Sequence, residues 1–177
     1  MKYPRPLAAL LFGAVLLATV RADAQQPAAN PLDNIPAKMP FNTPYGPPIT
    51  LGRAQTAIQA AIAEATKRGW AINIAVVDSG ANLVAFGRMD GAQIASIAIS
   101  EHKARAAASY RRATKVFEDG VQKSGFLYLL TLDDIIASRG GIPLVENGHI
   151  IGAIGCSGGT GSQDEATCTA GAATINK

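Results

Sequence analysis

The chain has 177 residues, of which 48% are hydrophobic and 16% charged, and its 16 lysines and arginines exceed its 13 acids by three. Residues 1–24 hold Lys2, Arg5 and Arg21 against Asp23, so the rest of the chain carries 13 bases and 12 acids. The net charge of these residues is 13 minus 12, or +1. This gives no support for a nucleic-acid partner, because proteins bind nucleic acids through a clustered basic face.

The first 24 residues predict an export signal. A basic start is followed by an apolar run, Leu7 to Val20, and by the cleavage pattern Ala22-Asp23-Ala24. The run is shorter than the roughly 20 residues that a membrane-spanning helix needs. We therefore expect a mature protein that begins at Gln25, is periplasmic or secreted, and has no membrane contact once the signal is removed.

Residues 25–48 are rich in proline, alanine and asparagine. Such a composition buries little apolar surface, and proline prevents a regular helix. The pattern predicts a flexible Pro/Ala-rich arm, and leaves open whether it lies across its own domain or a neighbouring subunit. Residues 49–177 have the length of one domain.

Turn signals and apolar periodicity divide the first part of this domain into alternating elements. Thr50 is placed to cap a helix and Gly69 to end it. The predicted elements are a helix at 51–68, strands at 71–77 and 82–89 joined as a hairpin, a second helix opening at Asp90, a short helix at 114–121, and an ambiguous apolar stretch at 124–138.

The stretch from Gly140 to Glu165 predicts a second hairpin, with strands at 142–145 and 149–155 and a tight turn at Asn147-Gly148. A loop of small residues then precedes a last helix at 163–175, for which Ser162 and Glu165 match a capping box. Such a loop at a helix N-terminus can hold an anion. It can equally be a tight turn that needs glycine for its backbone.

Paired hairpins flanked by helices indicate an α+β fold with an antiparallel sheet. A doubly wound parallel sheet would instead alternate single strands with helices.

Three segments, in this order, resemble the GlcG/HbpS family of haem-binding and haem-degrading proteins: AINIAVVDSGANLVAFGRMDGAQIASIAIS, EHKARAAASYRRATKVFEDGV and GGIPLVENGHIIGAIGCSGGTGSQDEATCTAGA. The resemblance runs from about Thr50 to Ile175. It implies a profilin-like, three-layer α/β/α domain with a five-stranded, mainly antiparallel sheet. It also implies haem as a cofactor and a homo-oligomer, to which the alanine-rich second helix is suited.

A pocket for an anionic small molecule is predicted between the glycine-rich loop and the second helix. Lys103 and Arg88 would supply positive charge, and Lys103→Met is expected to weaken binding with little loss of stability. The loop residues of this predicted site are Ser157, Gly158, Gly159, Thr160, Gly161 and Ser162.

A haem pocket would need apolar walls and cations for the propionates. The candidate walls are Phe86, Met89, Phe117, Phe126 and Tyr128, and the candidate cations are Arg88, Lys103, Arg111 and Arg112. His102 and His149 are the two histidines; both are typical of solvent-facing residues, and His102 is the one candidate kept as a ligand for iron or another metal.

Cys156 and Cys168 are the only cysteines, and two cysteines in an exported protein usually pair. Two small buried residues would show the same pattern, so both interpretations stay open.

No enzyme motif is recognised, and whether the protein is an enzyme is left open. The leading hypothesis is an exported haem-binding protein that stores, senses or slowly degrades haem. One alternative is a module that binds or acts on a small carboxylate, similar to glycolate, at the glycine-rich loop. Another is a structural or regulatory subunit that acts through oligomer contacts.

Overall fold

The computed structural model describes residues 30–176. The predicted signal peptide, and the first residues of the predicted arm, therefore lie outside the described residues. The chain divides into two units, and the second begins at Lys38. Of the first, a single 3₁₀ turn, Pro31–Asp33, is described. None of the described helices combines the length and apolar character needed to cross a bilayer.

The second unit is built on an antiparallel sheet with the strand order β2-β1-β4-β3. Its strands are β1 (Asn73–Asp78), β2 (Leu83–Arg88), β3 (Gly141–Glu146) and β4 (His149–Ser157). Both predicted hairpins are present. Each of the two residues in the Asn147-Gly148 turn has positive φ, 50° and 75°, as this type of turn requires.

Among the described residues the sheet has four strands, not the five that the resemblance implied. The ambiguous stretch contributes a 3₁₀ turn, Leu127–Thr131, instead of a strand. The end of the arm makes only an isolated parallel bridge, between Tyr45 and Ile150. Pro44, Pro47 and Pro48 surround that bridge and lack the N–H groups that a longer ladder would use.

Two helices cover one face of the sheet: α1 (Leu51–Arg68) and α4 (Gly161–Ala172). Alternate strand residues, such as Ile74 and Ile154, pack into their shared core. Helix α1 has the predicted bounds. Gly69 ends it in the left-handed conformation (φ 70°), while the Thr50 side chain makes no capping hydrogen bond.

A third helix, α2 (Ala95–Ser109), covers the opposite face, where its alanines pack on Ala75, Val77 and Ala153. The predicted start at Asp90 was wrong, because Gly91 takes a left-handed φ of 77° and delays the helix. Helix α2 lies very close to β4: a Cβ on Gly155 would stand 2.1 Å from the Ser100 carbonyl oxygen.

A smaller core lies beside α2. It joins α3 (Lys115–Gln122) to the 3₁₀ turn Leu127–Thr131 through Ala106, Phe117 and Leu129.

Candidate functional site

The glycine-rich loop is shorter than the sequence predicted. Ser157 is the last residue of β4, and Gly161 and Ser162 already belong to the first turn of α4. The capping box consists of Thr160 and Gln163, two residues before the predicted pair of Ser162 and Glu165. The helix begins earlier because Thr160 has the extended conformation of a cap (φ −70°, ψ 159°).

The loop closes on a buried ion pair. Lys103 Nζ lies 2.8 Å from Asp164 Oδ2, and the two side chains are 1% and 4% exposed. The other carboxylate oxygen, Asp164 Oδ1, accepts a hydrogen bond from the Gly159 amide at 3.0 Å. Burial raises the pKa of Asp164, and Lys103 together with the Gly159 and Gly158 amides opposes that rise. The loop therefore already binds a carboxylate, and it is one of the protein's own.

Two further amides at this helix start are also engaged. The Thr160 amide donates to Gln163 Oε1 at 2.8 Å, and the Gln163 amide donates to Thr160 Oγ1. Ser157 Oγ donates to Ser96 Oγ at 3.1 Å inside the fold. A foreign anion here would have to compete with Asp164 and with the helix cap for these donors. The ligand site at the loop therefore stays a prediction, and binding there would require existing contacts to break.

Arg88 lies at the same end of the sheet. It is paired in register with Asn73, which is itself paired with Ser157 on the other side, so two strand spacings separate Arg88 from the loop. Arg88 is exposed at the end of β2, and the structure places it near the sheet's loop end without joining it to the Lys103–Asp164 pair.

Cys156 and Cys168 are joined by a disulfide with a Cα–Cα distance of 5.6 Å. The bond ties the end of β4 to α4 behind the loop, and both residues are fully buried.

The structure brings no set of metal ligands to His102. Its Nε2 atom is buried and has no hydrogen-bond partner among residues 30–176. Within that same range, no three histidine, cysteine or acidic residues cluster as a metal site would. His149 is exposed, and its Nδ1 lies 2.9 Å from the Asn147 carbonyl oxygen.

A different concave site lies between α3, the 3₁₀ turn and the arm. It is a cavity of about 460 Å³. Most of its wall is aromatic or aliphatic: Phe41, Val116, Phe117, Phe126, Tyr128 and Leu129. A volume of this size suits a small organic ligand, for which pockets of about 300–1,000 Å³ are usual.

Two cations line the cavity, and they differ in availability. Lys123 is paired with Asp119 at 2.9 Å. Arg112 has no acidic partner within residues 30–176, and burial, followed by the charge of Arg111, lowers its pKa. An unpaired, partly desolvated guanidinium favours an anionic group on a bound ligand.

The cavity unites some of the predicted haem-pocket residues and leaves others apart. Phe117, Phe126, Tyr128 and Arg112 line it. The other candidates lie elsewhere: Phe86 packs in the core under α2, Met89 packs in the core under α1, Arg88 ends β2, Lys103 is in its ion pair, and Arg111 stacks on Tyr45.

The aromatic lining residue that sequence reasoning missed is Phe41. It belongs to the proline-rich arm, which the sequence did not connect with any particular surface. The nearby segment is held by hydrogen bonds from the Gly46 and Ile49 amides to β4 and from the Tyr45 hydroxyl to the end of α2.

Helices on both faces of an antiparallel sheet, with an apolar cavity and an unpaired arginine at one side, define a small α+β domain with a candidate binding site for an organic anion. The chain belongs to the family described as haem-degrading protein HbpS-like, which matches residues 49–173.

Relatives support the same assignment. Protein GlcG of Escherichia coli K12 is 42% identical over 104 residues, which are 59% of this chain and 77% of GlcG. A crystal structure of a Streptomyces reticuli HbpS double mutant is 30% identical, with a TM-score of 0.67, over 85% of this chain and all (100%) of that one. The crystal structure of a PduOC:heme complex is 25% identical, with a TM-score of 0.66, over 73% of this chain and 96% of that one.

Proposed function

We propose that this protein binds haem in the cavity between α3, the 3₁₀ turn Leu127–Thr131 and the arm. The observation that carries the proposal is the pairing of an aromatic wall with Arg112, a cation that has no acidic partner in the described part of the chain. Membership of the HbpS-like family and the likeness to a haem complex support the same ligand.

The residues present fit the chemistry of haem. The flat macrocycle needs apolar and aromatic contact, which Phe117, Phe126 and Leu129 offer, and its propionates need a cation. Tyr128 is the one residue of the lining with a phenolic oxygen, an atom known to ligate haem iron in other proteins. When bound, haem would supply a redox-active iron.

The alternative ligand, a small carboxylate at the glycine-rich loop, has weaker support. The amide of Gly159 and the ammonium of Lys103 both contact Asp164, so neither is available without breaking a buried ion pair. Haem in the cavity requires no such exchange.

Titration of haemin into the purified protein, followed by its Soret absorption, tests the proposal. Ser124 is exposed and lines the cavity, so Ser124→Trp should fill the mouth and weaken haemin binding by about tenfold or more. Gln122→Trp is the matched control, because Gln122 is exposed two residues earlier, at the end of α3, and does not line the cavity. A wild-type protein that leaves the haemin spectrum unchanged would refute haem binding, and equal loss in both variants would place the ligand elsewhere.

We further propose that the protein is exported and self-associates. The support for export is the basic and apolar pattern of residues 1–24. The support for self-association is the family resemblance alone, because the buried alanines of α2 already pack on the protein's own sheet. The intact mass of the periplasmic protein should correspond to a chain starting at Gln25. Light scattering at micromolar concentration should give a mass above that of the monomer.

A further inference from the structure

We infer that Phe41, from the N-terminal arm, positions Arg112 to bind a carboxylate of the ligand, so that the arm is part of the binding site. The inference rests on the proposed function and extends it, because it states which group of the ligand is recognised and by which residues. Phe41 lies outside residues 49–173, the part of the chain that matches the family. The family domain alone would therefore lack this contact.

The guanidinium of Arg112 is held on three sides. Its Cζ lies 3.7 Å from the centre of the Phe41 ring and 5.7 Å from the centre of the Phe117 ring. Its Nε donates to the Tyr110 carbonyl oxygen at 2.9 Å. A guanidinium fixed by stacking loses less freedom when it binds a carboxylate than a free side chain would.

The donors that remain are the ones a carboxylate needs. The Nη1 and Nη2 groups of Arg112 make no hydrogen bond to any residue between 30 and 176. Two parallel N–H groups match the two oxygens of a carboxylate. Arg112 and Phe41 both line the cavity, so an acid group on an apolar ligand inside it would meet these donors.

The backbone at both ends of this contact is unusual. Phe41 and Arg111, the residue before Arg112, each have a φ of 56°. This is a left-handed backbone conformation that residues other than glycine rarely adopt. Arg111 in turn stacks on Tyr45 of the arm, with its Cζ 5.7 Å from the ring centre. Two neighbouring arginines thus each face an aromatic ring of the arm, and only Arg112 lines the cavity.

The test compares haemin with haemin dimethyl ester, which keeps the macrocycle and iron but lacks both carboxylates. The full chain should bind haemin about tenfold or more tightly than the ester, as expected for a charge-assisted hydrogen bond. Arg112→Gln should abolish this preference, by weakening the binding of haemin much more than that of the ester. Phe41→Ala should reduce the preference severalfold with Arg112 still present.

Arg111→Gln is the matched control, since it removes the adjacent arginine and its stacking on Tyr45 without changing the cavity lining, and it should keep the preference. A preference that survives Arg112→Gln would assign the carboxylate to another cation. A preference unchanged in Phe41→Ala would overturn the role of the arm. Failure of the wild-type chain to bind either probe would overturn the proposed function and this inference together, whereas binding without preference would overturn only the inference.

Discussion

Lys103 on α2 and Asp164 on α4 form an ion pair across 61 positions of the sequence, with Nζ and Oδ2 2.8 Å apart and both side chains almost fully buried. Asp164 also accepts the Gly159 amide, so the pair fixes the glycine-rich loop between the two helices. A buried pair of this kind costs desolvation when it forms, but removal of one partner leaves an uncompensated charge.

Lys103→Met should therefore lower the free energy of unfolding by about 3–5 kcal/mol. This prediction differs from the one made from the sequence. There, Lys103 was treated as a cation available to a ligand, and its replacement was expected to cause little loss of stability. Urea denaturation is the measurement. Arg53→Gln is the control, because it breaks an ion pair of similar length, with Arg53 Nη2 2.6 Å from Glu146 Oε1. These two side chains are 38% and 39% exposed, so the loss of their pair should lower the free energy of unfolding by less than about 1 kcal/mol.

The double variant Lys103→Met/Asp164→Asn should recover part of the loss, because it removes the orphaned charge and keeps an oxygen for the Gly159 amide. If Lys103→Met is as stable as Arg53→Gln, the pair does not form in solution.

The pair between Glu118 and Arg139 should make stability depend on pH in the acid range. Arg139 donates to Glu118 through its side chain at 2.8 Å and its backbone at 2.7 Å, and the side-chain hydrogen bond is the main reason that the pKa of Glu118 is lowered. A carboxyl whose pKa is lowered by folding stabilises the fold at pH values above its pKa in the unfolded chain, which is about 4.3 for glutamate. That stability is lost as the pH falls through the pKa of the folded state.

Glu118→Gln should thus be less stable than the wild type at pH 7, and the difference should shrink as the pH is lowered towards 3. The measurement is the free energy of unfolding in urea at a series of pH values. Asp119, whose pKa is lowered to about 2 mainly by a hydrogen bond from Lys115, keeps that partner in both proteins and titrates largely below this pH range. A difference that stays constant between pH 7 and pH 3 would contradict the prediction.

Local patterns in the sequence predicted the parts of this fold that depend on near neighbours. Gly69 ends α1 and Asn147-Gly148 turns the second hairpin because those positions need left-handed backbone, which glycine and asparagine supply. The start of α2 was mispredicted for a related reason. Asp90 was taken as the residue that opens the helix, but Gly91 has a left-handed backbone, and the helix begins only at Ala95.

The candidate site depends instead on contacts between distant residues. Nothing near Lys103 indicates that Asp164 will neutralise it, and nothing near Arg112 indicates that Phe41 will stack on it. Of the five haem-pocket walls proposed from the sequence, Phe117, Phe126 and Tyr128 are close in the chain and meet in the cavity. Phe86 and Met89, which lie in a different hairpin, do not.

The disulfide gives a chemical prediction. Iodoacetamide under denaturing, non-reducing conditions should add no label to Cys156 or Cys168, and two labels should appear after reduction. A Cys156→Ala/Cys168→Ala variant should lose about 2–4 kcal/mol, because the bond restricts the unfolded chain. Two labels on the exported protein before reduction would show that the bond is absent.

Gly155 should be intolerant of any side chain. A Cβ there would lie 2.1 Å from the Ser100 carbonyl oxygen and 2.5 Å from the Ala104 amide nitrogen, so α2 would have to move away from β4. Gly155→Ala should cost about 3 kcal/mol or more, at the upper end of overpacking, and unfolding in urea would measure it.

Gly52→Ala is the matched control for this substitution. Gly52 is in α1 with no atom within 4 Å of an added Cβ, and alanine is the better helix former, so the variant should be more stable by up to about 1 kcal/mol. The comparison separates the effect of contact from that of glycine as a residue. If Gly155→Ala were as stable as Gly52→Ala, α2 would not lie against β4 as closely as the structure places it, and the positions of Lys103 and Arg112, which follow from that packing, would have to be revised.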